Sequence, residues 1–333
     1  MSVAANVKKC LEIKGGLLVE MLDQCRERVF RSLWQYYYDS VPIAARIESA
    51  LKARSDAWIE DHVAFRTLPG EHTGAHVLQG LFEALGYVRE DDYHFEEKKL
   101  NAFWLSPPDK VGSHAKASPK IFVSELILDD FSDAFKQTLT RYTNTVNSSV
   151  LEEVRALTTQ LETGIGVEDA EKTALYTKIS DLIGAYLTAS PAWFRPSLAD
   201  YKTLAKESEY AAWTLLFANK INHFTVSVHL MDSFETITEL GSFLETDLGI
   251  GMNHSGGLVK GNPSLKLEQI ATMAVKVPYL FQDGLDEVPY GFVEFAKRYP
   301  LDGKASDGNW HSYYQGFVTA NADKIFESTM KTN

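Results

Sequence analysis

Apolar residues recur at three- and four-residue steps early in the chain, at Leu17, Leu18, Leu22, Val29, Phe30 and Leu33, and that period predicts helix. Residues 1–57 therefore read as a helical cover. The texture changes at DHVAFRT (61–67), which is strand-like; Pro69 and Gly70 then punctuate the chain. Val77, Leu78, Leu81, Phe82 and Leu85 return to helical spacing, with Thr73 as the expected N-cap and Gly86 as the stop. KLNAFWLSP near 99–107 and KIFVSELIL at 120–128 are two further strands, so residues 58–129 read as a βαββ module.

Residues 130–220 are mostly helical in pattern, carry no motif of their own, and are expected to form a helical insertion. The earlier pattern then returns over 221–300: strand NHFTVSVHL, a helix with Ile237, Leu240, Leu244 and Leu248 in phase, strand ATMAVKVPYLF, a turn at QDGLDE and strand VPYGFVEFAKR. Residues 301–333 follow as a C-terminal helical segment. The two modules match in detail. Each opens on a histidine-bearing strand, at His62 and His223; each helix ends in Leu-Gly, at Gly86 and Gly249; each last strand carries one glutamate amid apolar residues, Glu125 and Glu294. Such a repeat lets two half-barrels close around a shared cavity. The expected fold is α+β, paired βαββ modules forming a glyoxalase-like barrel with a helical cover and insertion, in a single catalytic unit over 1–333.

Composition narrows the partners. The chain has 333 residues, 45% hydrophobic and 12% aromatic, enough for a sizeable core. Lys and Arg number 33 against 45 Asp and Glu, a net charge of −12, which argues against nucleic acid or an anionic membrane as partner. Small molecules or other proteins are the expected partners. No stretch approaches the roughly 20 apolar residues of a membrane span, and charges interrupt the N-terminal apolar pieces, so the cytoplasm is the expected compartment. Cys10 and Cys25, fifteen residues apart, suit neither a disulfide framework nor a CxxC site and read as packing residues.

Side chains on a strand alternate, so His62, Ala64 and Arg66 share one face, as do His223, Thr225, Ser227 and His229. Glu294 shares its own with Phe292 and Ala296. Two histidines and a carboxylate on converging faces are what a facial triad for non-haem Fe(II) needs, three ligands with open positions opposite; the same donors admit manganese, zinc or nickel.

DHVAFRT, INHFT and VPYGFVEFAKR together resemble the 2-oxoadipate dioxygenase/decarboxylase family, related in fold to the vicinal oxygen chelate and glyoxalase-type proteins, over about 58–300. The resemblance implies iron bound by His62, His223 and Glu294, and a substrate carboxylate held by Arg66. It also implies a reaction in which O2 and a 2-oxo acid give CO2 and a hydroxy acid, for 2-oxoadipate 2-hydroxyglutarate in a lysine-breakdown route, with no separate 2-oxoglutarate consumed. Four residues of strand separate His62 from Arg66, roughly 13 Å, a span that suits a six-carbon diacid gripped bidentately at its far end.

Glu125, at the repeat-equivalent position, is expected beside the site, fixing Arg66 or a water, against the simpler reading of a structural salt bridge. His72 and His76 have i,i+4 spacing but lack the glutamate of the zinc-protease pattern. GMNHSGGLVKGN fits neither a Rossmann fingerprint nor a P-loop and reads as a mobile lid or loop, with GNPSLKLEQIATMA close to the site. His229, His254 and His311 have no assigned role. Two rival functions stand beside the oxygenase: a glyoxalase-type isomerase or lyase with Glu125 or another residue completing a four-ligand site and acting as base, and a non-catalytic small-ligand-binding protein on the same scaffold.

Overall fold

The structure, a computed structural model, describes residues 17–163, 168–304 and 306–329. Helices α1 (Leu17–Ser40) and α2 (Pro42–Lys52) lead into strand β1 (Glu60–Thr67). Helix α3 (Ala75–Ala84) and strands β2 (Val88–Phe95), β3 (Leu100–Ser106) and β4 (Lys120–Leu126) complete the first half. Five helices follow: α4 (Asp133–Thr143), α5 (Val150–Thr163), α6 (Asp169–Thr188), α7 (Leu198–Ala205) and α8 (Glu209–Phe217). The second half comprises β5 (Ile221–Ser227), α9 (Ile237–Ser242), β6 (Lys260–Asn262), β7 (Leu267–Ala271), β8 (Lys276–Leu280), β9 (Leu285–Pro289) and β10 (Phe292–Arg298). Helix α10 (Thr319–Phe326) comes last.

Eight of the strands form one sheet in the order β2-β3-β4-β1-β5-β10-β7-β6. β1 and β5 run antiparallel at its centre, and each has the last strand of its own half, β4 or β10, parallel on its other side. The halves are thus related by a pseudo-twofold axis through the β1–β5 seam. A flat sheet of eight strands would hold its edges about 34 Å apart at ~4.8 Å per strand. Helix α10, about 12 Å long, touches both edge strands, β2 and β6, so the sheet curls into an open barrel with α10 across the gap.

Alternation sorts the side chains by face. Val63 and Phe65 point outward under the helices, and the Phe65 ring lies 5.7 Å from Phe82 of α3. In the second half Trp34 and Tyr37 of α1, with Trp58, surround Phe224 at 4.8, 5.6 and 5.4 Å. Burial of each such aromatic contributes about 1.5–3 kcal/mol, so the outward face carries much of the stability. The inward face of β1 keeps His62, Ala64 and Arg66 together.

Several local expectations change. The first half is βαβββ, because VREDDYHF forms β2; its polar composition hides it, as suits a mostly solvent-facing edge strand. ATMAVKVPYLF is not one strand: it leaves the barrel after Ala271, and β8 and β9 form a separate hairpin. Thr73 does not cap α3; its hydroxyl donates to the Leu68 carbonyl, and Gly74 occupies the cap position. Gly86 and Gly249 both stand at positive φ, +91° and +62°, as the two Leu-Gly stops require. Cys25 is buried, its thiol pushed up to about 11 chiefly by burial, and packs as expected; Cys10 lies outside the described residues.

His114, buried, and His229, half-buried, sit side by side next to Trp310 and Tyr313, their ring centroids 4.9 Å apart. The Arg298 backbone N–H donates to His229 Nδ1, so His229 Nε2–H donates to His114 Nδ1 at 3.1 Å. Burial foremost depresses both, His114 to about 2 and His229 to about 3. Between those values and an unfolded histidine near 6.5 the unfolded chain binds more protons, so stability falls as pH drops through that window, by up to about 1.4 kcal/mol per pH unit for each histidine. We expect the thermal midpoint to fall between pH 7 and 4.5, and the loss to be shallower in a His114→Gln/His229→Gln variant than in the parent; parallel curves would show that these histidines do not set the slope.

Candidate metal centre

His62 on β1, His223 on β5 and Glu294 on β10 meet on the inward face. One ligand atom from each lies within 4.8 Å of the others, the only such group of three or more metal-ligating side chains among the described residues. His223 Nε2 is 3.2 Å from Glu294 Oε2 and His62 Nε2 is 3.8 Å from Oε1. All three are buried. Register explains the meeting: β10 pairs with β5 so that Glu294 stands opposite Thr225, and β1 pairs with β5 so that His62 also stands opposite Thr225. The Thr225 hydroxyl lies 3.1 Å from His62 Nε2.

Burial depresses His223 more than Glu294 raises it, which favours the neutral imidazole a metal requires. Burial would by itself raise the Glu294 carboxyl. The polar groups around it, His223 first, then His62 and the Gln269 amide, outweigh it and hold the group below the ordinary carboxylate range. Gln269 Nε2 donates to Glu294 Oε1 at 2.6 Å, and its Oε1 accepts from Asn321 of α10 at 3.0 Å. Gln269 falls in the segment expected near the site, but its bond to the carboxylate depends on the β7–β10 pairing and is not readable from pattern.

Behind His62 lies Asp61, fully buried, gripped by Arg298 through Nε at 2.6 Å and Nη2 at 2.8 Å, with Lys120 Nζ at 3.4 Å. Burial opposes its ionisation, and the charges of Arg298 and Lys120 prevail, holding Asp61 well below the usual range. Burial and Arg298 bring Lys120 down to about 7. Arg298 also donates to the Tyr314 and Gly316 carbonyls, anchoring the segment that carries Phe317 against the His62 ring at 4.8 Å.

Arg66 shares the inward face and is 1% exposed. Its Nη1 donates to Glu209 at 3.1 Å and its Nη2 to Thr329 at 2.9 Å, while Nε has no partner. Tyr210, Trp213 and Phe326 surround the guanidinium at 5.0, 5.2 and 5.5 Å. Phe326 also lines the cavity at the triad, and so borders both that cavity and the Arg66 guanidinium. That cavity is about 20 Å³, with Phe317, Ala322, Ile325 and Phe326 of the C-terminal segment supplying four of its nine lining residues. It is room for about one water.

Glu125 is elsewhere. In the first half His62 aligns with Lys120, and two residues on, Ala64 aligns with Phe122; in the second, His223 aligns with Phe292, and two residues on, Thr225 aligns with Glu294. The position matching Glu294 is therefore Phe122, which lines the triad cavity. Glu125 is three residues beyond, an odd offset that turns it to the opposite face. There its Oε2 accepts from the Ala75 backbone N–H at 2.6 Å, at the start of α3, and from Thr67 Oγ1 at 3.3 Å. The partner of Arg66 is Glu209, from the helical insertion, a pairing across 143 residues with no sequence signal.

His72 faces Glu152 and His76 bonds the Glu71 carbonyl, so the i,i+4 pair does not converge. His254 pairs with Glu245 at the surface. The glycine-rich loop is a seat for the C-terminal segment, with Asn253 Nδ2 donating to the Lys324 carbonyl and Ser328 hydroxyl. Covering of the site falls to α10 and its flanks.

A family model described as 2-oxoadipate dioxygenase/decarboxylase matches residues 28–307. The chloroplastic/amyloplastic 2-oxoadipate dioxygenase/decarboxylase of Oryza sativa subsp. japonica is 31% identical over 312 residues, 90% of this chain and 78% of that protein. The solved hydroxyglutarate synthase of Oryza sativa, in complex with 2-oxoadipate, superposes with a TM-score of 0.74 at 30% identity, covering 94% of each chain. A protein of Ralstonia eutropha JMP134 assigned to the glyoxalase superfamily, 24% identical with a TM-score of 0.69 over 82% of each chain, shares the fold.

The placement of Glu125 predicts that Glu125→Ala lowers stability by about 1 kcal/mol through the lost helix-terminal acceptor and leaves metal affinity unchanged. Chemical denaturation and a metal titration of the same sample check both; weakened metal binding would return Glu125 to the site.

Proposed function

The chain belongs to the 2-oxoadipate dioxygenase/decarboxylase family, and on that footing we propose that it converts 2-oxoadipate and O2 to 2-hydroxyglutarate and CO2 with Fe(II) held by His62, His223 and Glu294. The observation that carries this reading is the convergence of those three side chains on the face that also bears a buried, incompletely paired arginine. Two imidazoles and one carboxylate suit ferrous iron with open positions left for ligands; manganese, zinc or nickel fit the same donors. When bound, the metal supplies O2 activation and a docking point for the carboxylate and keto oxygens of the acid. Atoms balance: one oxygen of O2 enters the new carboxylate, the other the hydroxyl, and the original carboxylate leaves as CO2.

The chain's own residues do the rest. Arg66 has its Nε free and exchanges Thr329 for the distal carboxylate, with Glu209 keeping the guanidinium oriented. Ala64, between His62 and Arg66 on the same face, leaves the acid room to lie along β1. A cavity of about 20 Å³ does not hold a six-carbon acid, so Phe326 and its helix withdraw to admit it and return to exclude water. Phe122 occupies the place of a fourth ligand, which speaks for the oxygenase over the four-ligand isomerase reading.

Protein reconstituted anaerobically with Fe(II), then given air and 2-oxoadipate, is expected to consume one O2 and release one CO2 per 2-hydroxyglutarate formed. Stoichiometric iron without O2 uptake across a panel of 2-oxo acids would sink the proposal. Arg66→Ala is expected to keep its iron and raise KM for 2-oxoadipate roughly 10- to 100-fold, the loss of one charge-assisted contact of about 1.5–3 kcal/mol. Turnover of 2-oxohexanoate, which lacks the distal carboxylate, should barely change; an equal loss with both acids would remove Arg66 from that role.

A further inference from the structure

The β1–β5 ladder is broken twice. Between Glu60 and His62 the register slips by one residue, leaving Asp61 unmatched; between Ala64 and Phe65 it slips the other way, leaving Asn222 unmatched. Each unmatched residue directly precedes a histidine of the triad. In a regular strand, consecutive side chains point to opposite faces, so neither residue could reach its neighbour's ring. A bulge bends the strand and re-aims the extra residue. Here the result is the same in both halves: Asp61 Oδ1 lies 2.8 Å from His62 Nδ1, and Asn222 Oδ1 lies 3.0 Å from His223 Nδ1.

We propose that Asp61 and Asn222 are positioning residues for the metal, each accepting the Nδ1–H of the following histidine and so reserving its Nε2 lone pair for the ion. This rests on the metal-centre reading above and adds two residues to it. Both Nε2 atoms do face Glu294, at 3.8 and 3.2 Å. The two supports are unequal. Asp61 is a carboxylate fixed by Arg298 and Lys120, whereas Asn222 is neutral and its Nδ2 has no partner. A carboxylate behind an imidazole makes it a stronger donor than an amide does, so His62 is the firmer ligand and His223 the more easily weakened one. That makes Asn222 the better place for a test, since it can be changed without stranding a buried cation.

The experiment is an anaerobic titration of the metal-free full chain with Co(II), followed by calorimetry and by the visible d–d bands. Asn222→Ala is expected to bind Co(II) 10- to 100-fold more weakly than the parent with altered bands. Asn222→Asp, which restores the acceptor and adds charge, is expected to recover parental affinity or exceed it. A packing role alone would lower the thermal midpoint of Asn222→Ala and leave affinity and bands in place. Asp61→Asn, if it folds, is expected to weaken binding as well; the Asn222 pair decides the matter if it does not. Asn222→Ala binding within twofold of the parent with unchanged bands, or Asn222→Asp failing to recover, would overturn the inference and leave the metal centre standing. A parent that binds no Co(II) would overturn both.

Discussion

Everything at the centre of this protein hangs on the antiparallel seam between β1 and β5, where the two halves of the sheet are hydrogen-bonded to each other. Because the strands oppose, the histidine of one half faces that of the other diagonally, with ring centroids 5.9 Å apart. Because β10 runs parallel beside β5, its glutamate arrives from the flank to complete the set. A slip of one residue at the seam would carry a histidine to the helix-covered face. The pairing that builds the barrel and the pairing that builds the site are therefore one interaction.

An inward face that carries Asp61, Glu294, Arg66, Lys120 and Arg298 at no more than 1% exposure is costly to bury. Lone charges there would each lose several kcal/mol of hydration. Pairing offsets this for most of them: Asp61 with Arg298 and Lys120, Arg66 with Glu209, Glu294 with His223 and Gln269. The cohesion comes from the other face, where Phe65, Phe82, Phe224, Trp34 and Tyr37 pack between sheet and helices. The division of labour follows from strand alternation, with Asp61 brought to the inward side by its bulge.

What the sequence made legible was whatever alternation and local motif encode. The repeat, the two Leu-Gly stops and the histidine strands could all be read, and the structure brings His62, His223 and Glu294 together. What it hid depends on register between distant strands. Glu125 looked equivalent to Glu294 because both are single acids in apolar strands, yet pairing gives that place to Phe122. β2 was missed because an edge strand can be polar on both faces. Glu209 and Gln269 reach Arg66 and Glu294 only through tertiary packing. The bulges at Asp61 and Asn222 break the rule of alternation on which strand reading rests, so no periodicity could have exposed them.

The wall opposite the triad comes from the far end of the chain, with Thr329 meeting Arg66 across 263 residues. Vectorial synthesis gives that distance a meaning in time. A nascent chain that has grown only to residue 316 already contains every ligand and the arginine, but not Phe317, Ile325 or Phe326, which line the cavity at the triad. The ribosome thus makes the reactive groups first and their shelter afterwards.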